Sequence, residues 1–203
     1  MYGNDVDLFV LLLAHYKNID CQQIHMKSLT GYTSITEVYN FLGNEVALAL
    51  LAFHALTGCD VTGKFSGKSK EFWTSKFLTD RTNNNFIQAL LLLHTCRPED
   101  VFDELSKFIC RSYCPKKTPE RITSCLMETQ YFLYKKFSSE TSRLPPSPGA
   151  FLQHLQRACC PLVIWNSANL SDTRTIDHLD YGWEMKEQLL MPVCTMDSIA
   201  PEG

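Results

Sequence analysis

The chain has 203 residues, of which 45% are hydrophobic, and its net charge at pH 7 is −3. This length and hydrophobic share predict one folded domain with a real core, or a domain with an appendage. The small negative charge excludes a global basic field, so any binding to nucleic acid must come from a local patch.

The spacing of the cysteines and the length of the apolar runs bear on the cellular compartment of the chain and on membrane association. None of its nine cysteines has the CxxC spacing that zinc sites favour. Reduced, mostly buried thiols are therefore expected, in an intracellular compartment such as the nucleus or cytoplasm. The longest apolar runs, residues 8–14 and 46–55, are too short to span a bilayer, so no membrane association is expected.

The first half of the chain predicts short helices with polar starts. Asn4 or Asp5 can cap a helix over the apolar run LFVLLLAHY, although a strand fits that run equally well. A short strand is predicted over residues 22–28, and Ser34 with Glu37 forms a capping box for a helix that ends at residue 42. Further helices are predicted over residues 45–56, 68–78, 83–94, 98–110 and 118–137.

The second half contains the only linker-like stretch, SSETSRLPPSPG at residues 138–149. It divides the chain into a body (residues 1–137) and an appendage (residues 150–203). The appendage begins with a helix over residues 150–160, which Pro161 ends or kinks. An irregular tail follows, in which residues 181–183 and 189–193 can pair as a hairpin.

Three aspartates are the candidate metal ligands. Asp5 and Asp7 flank one residue at a helix start, and Asp60 ends another helix within Gly-Cys-Asp. Converging carboxylates repel one another, and Mg²⁺ or Mn²⁺ relieves that repulsion. Two such ions can clamp a phosphodiester for attack by water. The alternative is structural, because Asp-x-Asp before a helix commonly caps it and Gly-Cys-Asp commonly forms a turn.

Three lysines that follow Asp60 are the candidate phosphate ligands. Lys64, Lys68 and Lys70 lie in a glycine-containing connection that leads into a helix. Backbone N–H groups of such a connection, together with a helix N-terminus, bind anions. The lysines would then hold a nucleic-acid backbone without reading its sequence. The alternative is a solvated basic face, and His54 in the preceding apolar helix is interpreted as a satisfied core histidine.

The order of these motifs resembles the later half of a PIN-like nuclease domain of the flap endonuclease and XPG type. The resemblance rests on NDVDLFVLL at residues 4–12, AFHALTGCD at 52–60 and GKFSGKSK at 63–70. It is strongest to a group of uncharacterised, transposon-derived animal proteins that share the His-Ala-Leu-Thr-Gly-Cys-Asp motif. Tail residues of that group, including Trp165 and the sequence Tyr-Gly-Trp at 181–183, recur here in the same order.

The resemblance implies an α/β, mainly helical fold. This would be the C-terminal part of a PIN-like domain, with a helix–two-turn–helix at about residues 50–80, a helical extension and a small irregular tail. It also implies that Asp5, Asp7 and Asp60 are catalytic metal ligands for Mg²⁺ or Mn²⁺. Gly67, with the lysines Lys64, Lys68 and Lys70, would bind the backbone of DNA or RNA. Ser69 departs from the family, which has a second glycine in this turn.

The implied function is a metal-dependent, structure-selective nuclease that is incomplete here. PIN-like nucleases take further acids from earlier strands, which would lie before Met1. The alternatives are a non-catalytic remnant that binds nucleic acid or protein, and a fragment with no independent function. Missing strands would expose apolar helix faces, which predicts aggregation or a protein partner that covers them.

Overall fold

The structure, a computed structural model, describes residues 5–28, 31–137, 144–168, 170, 176–195 and 197. The protein is mainly helical, with two small antiparallel sheets. The helices are α1 (Val6–Ala14), α2 (Ile35–Leu42), α3 (Asn44–Thr57), α4 (Lys70–Asp80), α5 (Asn84–Leu92), α6 (Pro98–Tyr113), α7 (Glu120–Thr123), α8 (Leu126–Phe137) and α9 (Pro148–Asn166). The strands are β1 (His25–Ser28), β2 (Gly31–Ser34), β3 (Trp183–Lys186) and β4 (Leu189–Pro192).

Local sequence explains where several helices begin. The Asp5 carboxylate and the Ser34 hydroxyl each accept a hydrogen bond from a backbone N–H in the first turn of α1 and α2, which confirms both predicted caps. Helix α4 begins at Lys70, two residues later than predicted. The reason is that the Ser69 hydroxyl accepts from the N–H of Phe72 and makes Ser69 the cap.

Helix α3 is the centre of the fold. It is apolar on all sides, and nine of its 14 residues are buried against α1, α2, α5 and α9. The Phe53 ring of α3 lies 4.7 Å from Phe77, between ring centroids, and meets Phe86 and Phe108 edge-on. The rings of Phe86 and Phe108 stack at 4.2 Å. This aromatic cluster fixes the C-terminal half of α3.

A smaller core holds the start of the chain. Helix α1 packs against both α2 and α3, and the Tyr16 and Tyr39 rings stack at 4.4 Å. The buried residues of this core are Leu12, Leu13, Met26, Ile35, Tyr39 and Ala47. The packing of this smaller core brings the N-terminus of α1 close to the C-terminus of α3.

Helix α9 belongs to the larger core. The sequence predicts it in an appendage beyond a linker, whereas its apolar side packs on α3 and α6. Within the predicted linker, residues 138–143 lie outside the described residues, and Leu144 is buried. Pro161 does not end the helix, which continues to Asn166. None of the helices in the described part of the chain is long and apolar enough to cross a bilayer.

The structure also tests the predicted helix over residues 118–137 and the predicted hairpin in the tail. The segment 118–137 forms α7 and α8 instead of one helix, and the Thr129 hydroxyl donates to the Ile122 carbonyl across the break (2.6 Å). A hairpin forms in the tail as predicted, but its first strand covers Trp183–Lys186 and not residues 181–183, because Tyr181 ends a 3-10 turn. Its two turn residues, Glu187 and Gln188, have φ of 50° and 68°, as a type I′ turn requires.

Candidate functional site

The connection between α3 and α4 begins with a glycine that no other residue can replace without strain. Gly58 has φ +103°, a backbone conformation that disfavours L side chains. A Cβ on Gly58 would also lie 3.0 Å from the Gly63 carbonyl oxygen and 3.1 Å from the Lys64 Cα. The connection therefore folds back tightly against the end of α3.

Carbonyls at the end of α3 accept hydrogen bonds from side chains, because the last carbonyls of a helix lack backbone partners within it. The Lys70 ammonium donates to the carbonyls of His54 (3.1 Å) and Gly58 (2.5 Å), and also to the Thr57 hydroxyl (3.1 Å). The other bonds run from Thr57 Oγ1 to the Phe53 carbonyl (2.8 Å), from Thr62 Oγ1 to the Ala55 carbonyl (2.8 Å) and from His154 Nε2 to the Leu56 carbonyl (2.6 Å). Side chains from the helix itself, from the connection and the start of α4, and from the distant helix α9 thus close this helix end.

A cleft of about 400 Å³ opens beside this helix end. Six of the seven residues predicted as site residues line it, all except Gly67. They are Asp5, Asp7, Asp60, Lys64, Lys68 and Lys70. The structure therefore brings the start of α1 together with the connection 58–69, although more than 50 residues separate them in the chain.

The three aspartates occupy different environments in the cleft. Asp5 is engaged as the cap of α1, where it accepts from the Asp7 N–H at 2.9 Å. The Asp7 carboxylate is 2.5 Å from the His54 ring Nε2. Asp60 is exposed and makes no hydrogen bond or ion pair within the described part of the chain.

The donors around the cleft do not form a complete metal site. Across the residues that the structure describes, no group of three or more His, Cys, Asp or Glu side chains could hold a metal ion. Asp5 and Asp7 each already have a hydrogen-bond partner. Mg²⁺ takes six oxygen ligands, several of which are commonly water, and these aspartates supply only part of such a shell.

The sequence predicts His54 as a core histidine and does not predict its contact with Asp7. It is buried, as predicted, and its ring stacks on Trp165 with 5.9 Å between centroids. Burial lowers the pKa of His54 below its ordinary 6.5, so at neutral pH an uncharged ring donates its N–H to Asp7. An apolar helix with one histidine near its end gives no sign of a partner 47 residues away.

The three lysines divide into one structural and two cleft-facing residues. All three N–H groups of Lys70 have acceptors at the end of α3. Burial lowers its pKa to about 8. Lys64 is exposed, and the Lys68 ammonium lies 4.5 Å from the ring centroids of both Phe72 and Tyr113. Lys64 and Lys68 are therefore the cations best placed to meet an anion in the cleft.

A second cavity of about 410 Å³ adjoins the cleft and shares Lys64 with it. Its walls include Tyr113 at the end of α6 and Gln130 of α8. On its far side the Asp197 carboxylate accepts from the Ser147 hydroxyl at 2.8 Å, which ties the tail to the start of α9. The cleft therefore adjoins a cavity that α6 and α8 help to line.

Comparison with known proteins adds no assignment to this geometry. No family model, curated protein or solved structure matches the chain.

Proposed function

We propose that the cleft binds phosphodiesters as part of a PIN-like, metal-dependent and structure-selective nuclease. One observation supports this best: a single cleft gathers three carboxylates and the two cleft-facing ammonium groups of Lys64 and Lys68 from two distant segments of the chain. Ammonium groups hold a phosphate backbone, and carboxylates suit Mg²⁺ or Mn²⁺. The mainly helical fold and the helix–connection–helix made by α3 and α4 are in keeping with the C-terminal part of such a domain.

The proposed roles differ among the cleft residues. Lys64 and Lys68 contact backbone phosphates of DNA or RNA. Asp60, Asp5 and Asp7 supply part of a divalent-ion site, with Asp60 the most accessible. No reaction step is assigned to the ion, because the described residues do not complete its coordination shell.

Cleavage assays test the catalytic part of this proposal. The purified protein is incubated with flap, single-stranded and duplex DNA, with and without Mn²⁺. The expected result is cleavage that requires Mn²⁺ and is lost in Asp60→Asn. The matched control is Asp20→Asn, since Asp20 is an exposed aspartate that does not line the cleft. Cleavage that survives in Asp60→Asn would refute the role of this carboxylate.

A second candidate is a nucleic-acid-binding protein without nuclease activity. The observation that favours it is the absence, among the described residues, of three donors able to hold a metal ion. It predicts binding that weakens with salt and does not depend on Mn²⁺, with no cleavage of any substrate. Lys64→Ala with Lys68→Ala is expected to weaken that binding, whereas Asp60→Asn is not.

A protein partner is also proposed, to cover apolar side chains on the surface. The β3–β4 hairpin exposes Met185, Leu189 and Met191 by 55%, 64% and 43%. Apolar side chains grouped on one small element commonly mark an interaction site. Size-exclusion chromatography with light scattering tests this, and a hairpin variant with Met185→Ser and Leu189→Ser should reduce self-association or partner capture.

A further inference from the structure

Positive charge is concentrated in one segment of an otherwise acidic protein. Residues 107–137 contain seven lysines and arginines but only two glutamates, in a chain whose net charge is −3. The remainder of the chain is therefore strongly negative. Such separation of charge makes a local positive field on one surface, which a nearly neutral protein otherwise lacks.

Part of this charge is neutralised within the fold. Arg111 pairs with Asp80 at 3.0 Å, Arg121 with Glu128 at 3.7 Å and Lys107 with Glu104 at 2.6 Å. Four exposed lysines of the segment have no ion pair within the described part of the chain. They are Lys116, Lys117, Lys135 and Lys136.

These four lysines form two pairs, one in the turn after α6 and one in the last turn of α8. Lys116 and Lys117 are in the turn after α6, where the Thr118 N–H donates to the Pro115 carbonyl (3.0 Å). Helix α8 packs against α6, and Gln130 of α8 lines the same cavity as Tyr113 at the end of α6. Burial raises the pKa of the Cys114 thiol at the end of α6, and the Lys136 ammonium of α8 acts against that rise. The turn and the end of α8 therefore belong to one surface.

That surface continues into the cleft through Tyr113. The Tyr113 ring lies 4.5 Å from the Lys68 ammonium, and its hydroxyl donates to the Ser66 carbonyl at 3.4 Å. Lys116 is three residues beyond Tyr113, a span of at most about 11 Å. The turn that carries Lys116 and Lys117 therefore begins close to the residues that line the cleft.

We infer that Lys116, Lys117, Lys135 and Lys136 form a second phosphate-binding surface, which guides a nucleic-acid backbone from the cleft across the end of α6 to α8. The inference rests on the proposed function and extends it by giving the path of the substrate. A base can stack at the far end, where the partly exposed Tyr131 ring lies 4.2 Å from the Lys135 ammonium. We term the surface made by these four lysines the basic track. A nucleic acid that contacts both the cleft and the basic track must be longer than one that fits the cleft alone.

The test measures how DNA affinity depends on salt and on DNA length. The basic-track variant replaces the four lysines by alanine, and the matched control replaces Lys17 and Lys186, exposed lysines outside the track. Each lost phosphate contact lowers the slope of log K against log salt by about 0.7 on single strands and about 0.9 on duplex. The track variant is expected to lose about 3 from this slope on long DNA. It should bind an oligonucleotide of about 6 residues as the wild type does.

The outcomes separate this inference from the proposed function. An unchanged slope in the track variant, with binding still lost in Lys64→Ala with Lys68→Ala, overturns the track and leaves the cleft in place. A reduced slope in the track variant, with no effect of the cleft variant, supports the surface and refutes the cleft. Equal losses per replaced lysine in the track variant and the Lys17/Lys186 control would show only general charge attraction and would also overturn the inference. Capture of an acidic protein, with no affinity of the wild type for DNA, overturns it as well.

Discussion

Gly58→Ala is the sharpest test of how the cleft is built. The substitution forces a side chain onto a backbone with φ +103°, which costs about 1 to 3 kcal/mol. The new Cβ would also meet the backbone of Gly63 and Lys64 at 3.0 and 3.1 Å, and overpacking of this kind adds about 1 to 3 kcal/mol. Together these effects predict a loss of about 4 kcal/mol in the free energy of unfolding, the middle of a combined range of about 2 to 6 kcal/mol.

Two other glycines separate the two contributions. Gly43 has φ +77°, but no atom lies within 4 Å of the place where its Cβ would stand, so Gly43→Ala should cost only the backbone strain, about 1 to 2 kcal/mol. Gly63 lies outside the positive-φ region, and the nearest neighbour of its added Cβ would be His154 Nδ1 at 3.9 Å. Gly63→Ala should therefore stay within about 0.5 kcal/mol of the wild type.

Urea denaturation and thermal unfolding measure this series. With about 2 to 4 °C of Tm for each kcal/mol in a protein of this size, a loss of about 4 kcal/mol in Gly58→Ala should lower Tm by about 8 to 16 °C. The expected order of stability is Gly63→Ala, then Gly43→Ala, then Gly58→Ala as the least stable. If Gly58→Ala were no more destabilising than Gly43→Ala, the tight approach of the connection to α3 would be refuted.

Three further predictions concern charge and packing. Lys70→Met leaves carbonyls at the end of α3 unpaired and should lower the free energy of unfolding by about 1 to 3 kcal/mol, without changing the salt dependence of DNA binding. Lys64→Met should reduce that salt dependence and leave the free energy of unfolding unchanged. Burial lowers the pKa of His154, so the unfolded state takes up its proton first and stability falls as pH drops below 6.5. In His154→Gln, urea titrations from pH 7 to 5 should show a shallower fall, by at most about 1.4 kcal/mol per pH unit. Phe108→Ala should cost about 3 to 5 kcal/mol by urea denaturation, and the exposed Phe41→Ala less than about 1.

Each of these has a contradicting result. Equal loss of stability in the Lys70 and Lys64 variants would show that Lys70 does not cap α3. An unchanged pH dependence in His154→Gln would show that this ring is protonated alike in both states. A mild effect of Phe108→Ala would mean that the aromatic cluster does not support α3.

Sequence patterns predicted the local structure well because caps and apolar periodicity act over a few residues. Asp5, Ser34 and Pro98 mark the starts of α1, α2 and α6 as expected. The break between α7 and α8 was not predictable, since Ile122 and Thr129 lie on one apolar pattern that continues through it. Helix propensity does not reveal that the Thr129 hydroxyl will bind the carbonyl of Ile122, seven residues earlier.

The candidate site was predictable only in part. Its acids and lysines were identified by motif, and their meeting in one cleft depends on how α1 packs against α3. The interpretation of Lys70 as a phosphate ligand could not take account of its three bonds to the end of α3, because those bonds exist only in the folded protein. The same holds for His54 and Asp7, whose contact spans 47 residues.

The closure of α3 by distant side chains has a consequence for folding order. The Leu56 carbonyl is satisfied by His154, 98 residues later in the chain, so the helix end keeps an open carbonyl until α9 has docked. Contacts of such long sequence separation are slow to form, since a large loop must close first. The final turn of α3, and with it the wall of the cleft, is therefore completed late, after the aromatic centre of the helix has packed. In hydrogen-exchange pulse labelling, amides of the centre of α3 should gain protection before those around Gly58.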